Sequence, residues 1–237
     1  LEIYRDKLLP DDKAVKQFYG QALRELPIDV EIPDLKISNS SVIYEELVDN
    51  NLPAGKIWFN ELDGKIVGLT NHSKDSAPTS IAITSKFMND AHVNLRWSFN
   101  VSDSKDVFKS SGSIKGFHSI NANSFLRPNL NVEAEGDIDQ LYFTVEGNAT
   151  NSRGDMKMKY HDFKFKVLKK DGLGVNKLLT AIGSIFINDG SKADSEGFRH
   201  GEINVERDRT KSFFNYLWAN IKDGILSTIT GDGKKKK

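Results

Sequence analysis

The sequence predicts a mainly β protein with several helices, of α+β type: a large curved antiparallel sheet forming a trough or partial barrel, capped by amphipathic helices. Three observations carry this expectation. Over residues 93–167 apolar and polar residues alternate with the two-residue period of a strand that is oily on one side and wet on the other. Turn-forming pairs such as Asp63-Gly64 and Gly136-Asp137 punctuate that alternation, and only a few stretches show helical spacing.

Taken in order, residues 1–27 form an N-terminal helical segment, with Asp11 as N-cap and Val15, Phe18, Ala22 and Leu26 at helical spacing up to Pro27. Ile28, Val30 and Ile32 then alternate up to Pro33, which cannot donate a ladder hydrogen bond and marks a bend or an edge. Residues 42–48, 56–62 and 65–70 read as strands, the last two joined by a hairpin turn at Asp63-Gly64. Residues 81–88 and 92–101 form a second pair, turning through Asn89-Asp90. In the weaker strand over 107–117, Gly112 and Gly116 invite a bulge or a close backbone approach. A short helix is expected over 121–126, stopped by Pro128. Hairpins follow near Gly136-Asp137 and over 148–154, and at 160–163 the apolar phase slips from even to odd positions, the mark of a bulge. An apolar helical stripe over 174–187 (Val175, Leu178, Leu179, Ile182, Ile185, Phe186) is inserted before a last strand at 201–207. The sheet domain thus covers 28–208. Residues 209–231 are the clearest helix, capped by Thr210 and ended by Gly231, and residues 232–237 are a lysine tail.

The composition removes several classes of function. Basic and acidic residues balance at 33 each, and four of the basic ones are Lys234 to Lys237, so the body is slightly acidic and no nucleic-acid partner is expected. The absence of cysteine rules out disulfides, thiolate metal sites and cysteine nucleophiles. The five histidines, His72, His92, His118, His161 and His200, lack the spacing of a zinc site, and the adjacent His161-Asp162 pair reads as structural. Gly172-Leu173-Gly174 lacks the rest of a phosphate-loop motif, and no nucleophile elbow is present. No nucleophile, base, metal or cofactor can be named, so the expectation is a protein that is not an enzyme. The chain opens at Leu1-Glu2, as an excised C-terminal portion of a longer protein would.

The apolar face needs a cover. Ten or eleven strands at about 4.8 Å spacing make a sheet on the order of 50 Å across, whereas three helices about 10 Å wide shield roughly 30 Å of it. Either the sheet folds over on itself as a sandwich or barrel, or it curls into a trough whose interior takes a ligand.

The succession Phe125-Leu126-Arg127-Pro128, Leu141-Tyr142-Phe143, Gly147-Asn148 and Gly154-Asp155-Met156 resembles the C-terminal region of AsmA-like proteins. The stretch from Asn176-Lys177-Leu178-Leu179 to Gly183, and the ending Val205-Glu206-Arg207-Asp208 with Phe213-Phe214-Asn215-Tyr216-Leu217-Trp218, is similar to the version of Bacteroidota. That resemblance spans roughly residues 28–229. It implies a periplasmic protein of a Gram-negative envelope, anchored in the inner membrane when full length, and kinship with TamB-like and other bridge-like lipid-transfer proteins. In that setting Val93, Leu95, Trp97, Phe99, Leu141, Phe143, Val145, Met156 and Met158 would line a groove for a phospholipid or other acyl lipid. Phe213, Phe214, Leu217, Trp218, Ile221 and Ile225 would meet a membrane or an envelope protein partner. The implied function is phospholipid transfer between inner and outer membrane, or outer-membrane assembly, without catalysis. The alternative is a closed β-sandwich serving as a structural or protein-interaction domain, with the C-terminal helix as its docking face.

Overall fold

Among the described residues nine strands lie in one sheet, in the order in which the chain makes them. The computed structural model describes residues 1–10, 12–71, 77–168 and 193–231. Its elements are β1 (Glu2–Asp6), α1 (Tyr19–Arg24), β2 (Glu31–Leu47), β3 (Gly55–Thr70), β4 (Thr79–Phe87), β5 (Ala91–Phe99), β6 (Phe108–His118), a 3-10 turn (Ser119–Ala122) running into α2 (Asn123–Leu130), β7 (Val132–Gly147), β8 (Asn151–Val167), β9 (Arg199–Glu206) and α3 (Phe213–Thr230). The 174–187 stripe lies outside the described residues. Every neighbouring pair is antiparallel except β1 and β2, which run parallel, so the sheet is mixed rather than purely antiparallel. Among the described residues the sheet does not close on itself, and there is no second sheet to make a sandwich.

Long strands explain why nine replace the ten or eleven expected. Asp63-Gly64 is not a turn: β3 runs straight through it, with Ile37 and Ile83 in register on either side of Gly64. The irregularity sits just before, where Glu61 takes a positive φ of 49° and the β3–β4 register shifts between Asn60 and Asp63. Gly136-Asp137 is likewise internal to β7, and Gly136 at φ 80° faces Asp162 at φ 50° on β8. A Cβ on Gly136 would sit 2.6 Å from the Phe163 nitrogen, so only glycine fits this bulge. The phase change read at 160–163 is this feature. The turn through Met88 and Asn89, both at positive φ, and the turn at Asn148 stand where expected.

The expected helix over residues 11–26 shrinks to Tyr19–Arg24. Its first half is drawn into tertiary contacts instead: the Lys16 N–H donates to the Arg209 carbonyl, and Arg207 donates from its guanidinium to the Lys16 and Ala149 carbonyls. Glu2 to Asp6, expected within that helical segment, extend along β2 as β1. Glu46, buried at the corner, accepts from Lys7 at 2.7 Å and holds that strand in place. Pro128 lies inside α2 rather than ending it. The helix stops at Asn131, whose left-handed φ of 52° is the common device for a C-terminus.

α2 reveals the curvature. Asn123 clips β7, accepting from the Ala134 N–H and donating to its carbonyl, while the next residue, Ser124, donates to the Lys56 carbonyl on β3. In a flat sheet β3 and β7 would stand about 19 Å apart. Two neighbouring residues cannot bridge that span, so the sheet curls around α2 as a plug at one mouth.

Candidate functional site

The strand register assembles the apolar face from residues far apart in sequence. One row runs Ile83, Leu95, Gly112, Phe143, Met156; the next, Ile81, Trp97, Ser110, Val145, Gly154; a third, Ser85, Val93, Ile114, Leu141, Met158. Phe99 heads a fourth row with Phe108. All nine residues expected to line a groove therefore share one face, because each alternation was read in the correct phase.

They do not share one environment. Leu141 and Met158 are 0% exposed, and Phe143, Val145, Met156 and Phe99 are buried as well. These six are core. Phe143 lies across Gly112, where a Cβ would come within 2.7 Å of the ring, so a large side chain fills the hollow left by a missing one. Val93, Leu95 and Trp97 are only half-buried, and so are their neighbours Ile66, Ile81 and Ile83 toward the N-terminal side of the sheet.

Helix cover accounts for the division. α3 lies on β8 and β9, and small residues let it sit close: Gly224 faces Met156 and Ile203, while Thr228 crosses Gly201. Ser152 and Asn220, both 1% exposed, pair beneath it at 2.7 Å. The helix also closes the sheet edge, because Ser227 and Asp223 accept from the outward N–H groups of Glu202 and Asn204 on β9. Ser212 caps it by accepting from the Asn215 N–H, whereas Thr210, the expected cap, is held in a turn by Asp208. Among the described residues no helix makes an extended contact with β4.

The end of the trough opposite α2 is an aromatic plug. Phe18, 1% exposed, and Tyr19 enter from the N-terminal segment; the Trp97 Nε1–H donates to the Tyr19 hydroxyl at 3.1 Å, and the Trp97 ring stacks on Phe213 at 4.2 Å. Burial drives the Tyr19 phenol far above its ordinary pKa, so it remains a neutral hydroxyl. Arg24 fastens the plug through Asp106 at 2.9 Å and the Val101 and Asp103 carbonyls. Sequence reading found Trp97 but missed Tyr19 and Arg24, for nothing local marks an aromatic as half of a pair 78 residues away.

Of the six residues expected to dock on a membrane or partner, Phe213 points inward onto Trp97, and Ile221 and Ile225 pack partly against the core. Leu217 is half-buried. Phe214 and Trp218 are 69% and 46% exposed.

The titratable groups cluster elsewhere, at the rim of β6, β7 and β8. His161 does not pair with Asp162. Its two ring nitrogens lie 3.0 and 3.1 Å from the Asp137 and Asp139 carboxylates, and His118 meets Asp90 at 2.9 Å. The hydrogen bond to Asp139 raises the pKa of His161, and that to Asp90 raises His118. Among the described residues no three acidic, histidine or cysteine side chains are placed to hold a metal ion, and no helix is long and apolar enough to cross a membrane.

The geometry defines a class: a helix-plugged β-trough with one half of its apolar face sealed and the other half partly open. Comparison with family models, curated proteins and solved structures finds no match to the chain.

Proposed function

We propose that this chain is a non-catalytic envelope module of AsmA-like type, whose apolar trough carries part of a phospholipid during transfer between the inner and outer membrane or during outer-membrane assembly. The observation that supports this reading most directly is the half-buried patch of Ile66, Ile81, Ile83, Val93 and Leu95, where no described helix makes an extended contact with β4. An acyl chain lying there would gain roughly 0.8 kcal/mol for each methylene it buries, so ten methylenes would supply about 8 kcal/mol before ordering costs. A headgroup at the rim would keep its water. The proposed periplasmic placement and inner-membrane anchorage of the full-length protein follow from the same reading.

The seat of the lipid moves relative to the sequence-based groove. Leu141, Phe143, Val145, Met156 and Met158 serve as its foundation, and the contact surface is the β3–β5 patch, including Val93 and Leu95. Mass spectrometry of protein extracted under gentle conditions is expected to find bound phospholipid, and Ile83→Asp or Leu95→Asp to lower its amount at least tenfold while the circular dichroism stays native. A wild-type protein free of lipid would sink direct carriage.

A further inference from the structure

We propose that the Phe214 and Trp218 face of α3 is a docking surface for an anionic lipid bilayer. Two large aromatic side chains, one turn apart, stand 69% and 46% exposed on a helix whose buried side is a different stripe, Tyr216, Asn220, Gly224, Thr228 and Ile229, with Phe213, Ile221 and Ile225 packed beside it. Part of that stripe is small or polar, and the helix leaves two of its largest apolar side chains on the solvent side. A docked amphipathic helix normally turns polar residues to solvent, so two exposed aromatics on that side depart from the usual arrangement. Aromatic side chains on such an outward face suit the headgroup boundary of a membrane, where an apolar ring and a wet surrounding are both satisfied.

Charge selects the bilayer over an apolar protein groove. The chain as a whole is neutral, yet residues 208–237 hold seven lysines and arginines, four of them Lys234 to Lys237, against three aspartates. Lys222 follows Trp218 by one turn, and Arg209 and Lys211 precede the helix. The neighbouring carboxylates, Asp208, which accepts from Thr210, and Asp223, which accepts from the Asn204 N–H, offset part of this charge. A cationic segment flanking exposed aromatics is attracted to anionic headgroups, an attraction that salt weakens.

Position adds a route. The Trp97 ring stacks on Phe213 at 4.2 Å, and the Phe213 and Phe214 centroids are 6.3 Å apart. Trp97 also stands beside Ile81 in the register. An unbroken apolar path thus leads from the half-open patch to the exposed helix face. The docking surface itself does not depend on lipid occupying the trough.

The test is co-sedimentation of the full chain with vesicles of phosphatidylcholine alone and with one third phosphatidylglycerol, at low and high salt. Binding is expected to the anionic vesicles only, to weaken at least tenfold in the Phe214→Ser/Trp218→Ser double variant, and to weaken with salt. Both side chains are exposed, so the variant should unfold at the wild-type midpoint. A second variant ending at Gly231 removes the lysine tail and is expected to keep a measurable anionic preference. Equal binding to neutral vesicles, wild-type binding by the double variant, or complete loss on removing the tail would each overturn the proposal. Protein that carries lipid but ignores vesicles refutes this surface alone; protein that binds vesicles but carries no lipid refutes the trough reading alone.

Discussion

Replacing Gly201 with alanine tests how the sealed half of the trough is sealed. A Cβ at this position would sit 2.6 Å from the Thr228 nitrogen and 2.8 Å from the Gly224 carbonyl oxygen, both backbone atoms of α3. No rotamer change relieves a clash with backbone, so the helix has to move away by roughly 0.8 Å to restore ordinary contact. Forcing a methyl group into a packed contact costs about 1–3 kcal/mol. The same retreat lengthens the bonds from Glu202 and Asn204 to Ser227 and Asp223, each worth about 1 kcal/mol. The total is about 3–5 kcal/mol, read as a fall in the urea midpoint without change in slope. Lifting α3 also bares Met156, so binding of a dye that reports exposed apolar surface should rise. A Gly201→Ala protein that unfolds within about 0.5 kcal/mol of wild type would refute the close seating of helix on sheet, since a surface change of that kind costs no more.

Two further outcomes follow. His161, raised by Asp139 and Asp137, stabilises the fold fully below the ordinary histidine value of 6.5 and loses that contribution as pH climbs through its raised folded-state pKa. The thermal midpoint is therefore expected to fall between pH 6 and pH 8.5 by more in wild type than in His161→Asn, and a proton resonance of His161 titrating at or below 6.5 would contradict it. Because α3 side chains occupy the outward N–H groups of β9, Asp223→Ala with Ser227→Ala should cost about 2 kcal/mol and expose an edge able to pair with another copy, visible as concentration-dependent association in analytical ultracentrifugation.

The sheet was legible because its period is physical: a residue on the wrong side of a strand would put an isoleucine in water along a whole row. The alternation from Val93 to Val101 and through Leu141, Phe143 and Val145 therefore gave both the strands and the shared face. The bulge at Asp162 was legible as a phase change, since an inserted residue shifts everything after it. Turn chemistry misled at Gly136-Asp137, because positive φ serves a hairpin turn and a bulge equally, and at Asp63-Gly64, where the dipeptide continues the strand and the positive φ falls on Glu61 instead. Which of the two forms depends on whether the flanking segments pair with each other or with outside strands, and that is settled by β2, β4, β6 and β8 rather than by the dipeptide. The groove was half legible for a related reason. Alternation tells which residues share a face but carries no information on which part of it a helix will cover.

Residue size does carry some of that information. Where α3 rests, the face is lowered by Gly201, and the helix offers Gly224 in return, which lets two backbones approach closely. Toward β4 and β5 the same rows rise into Ile81, Ile83, Val93 and Leu95, with only Gly64 to lower them on β3. Completing the burial of such a side chain is worth up to about 1.5–3 kcal/mol, so several of them left half-exposed represent a few kcal/mol unused. That amount is comparable with the net stability of a whole domain, about 5–15 kcal/mol. Polar residues at the same positions would remove the loss without disturbing the ladder. An apolar row continuing past the end of its described helix cover is thus expensive in isolation, and becomes favourable once something apolar lies upon it.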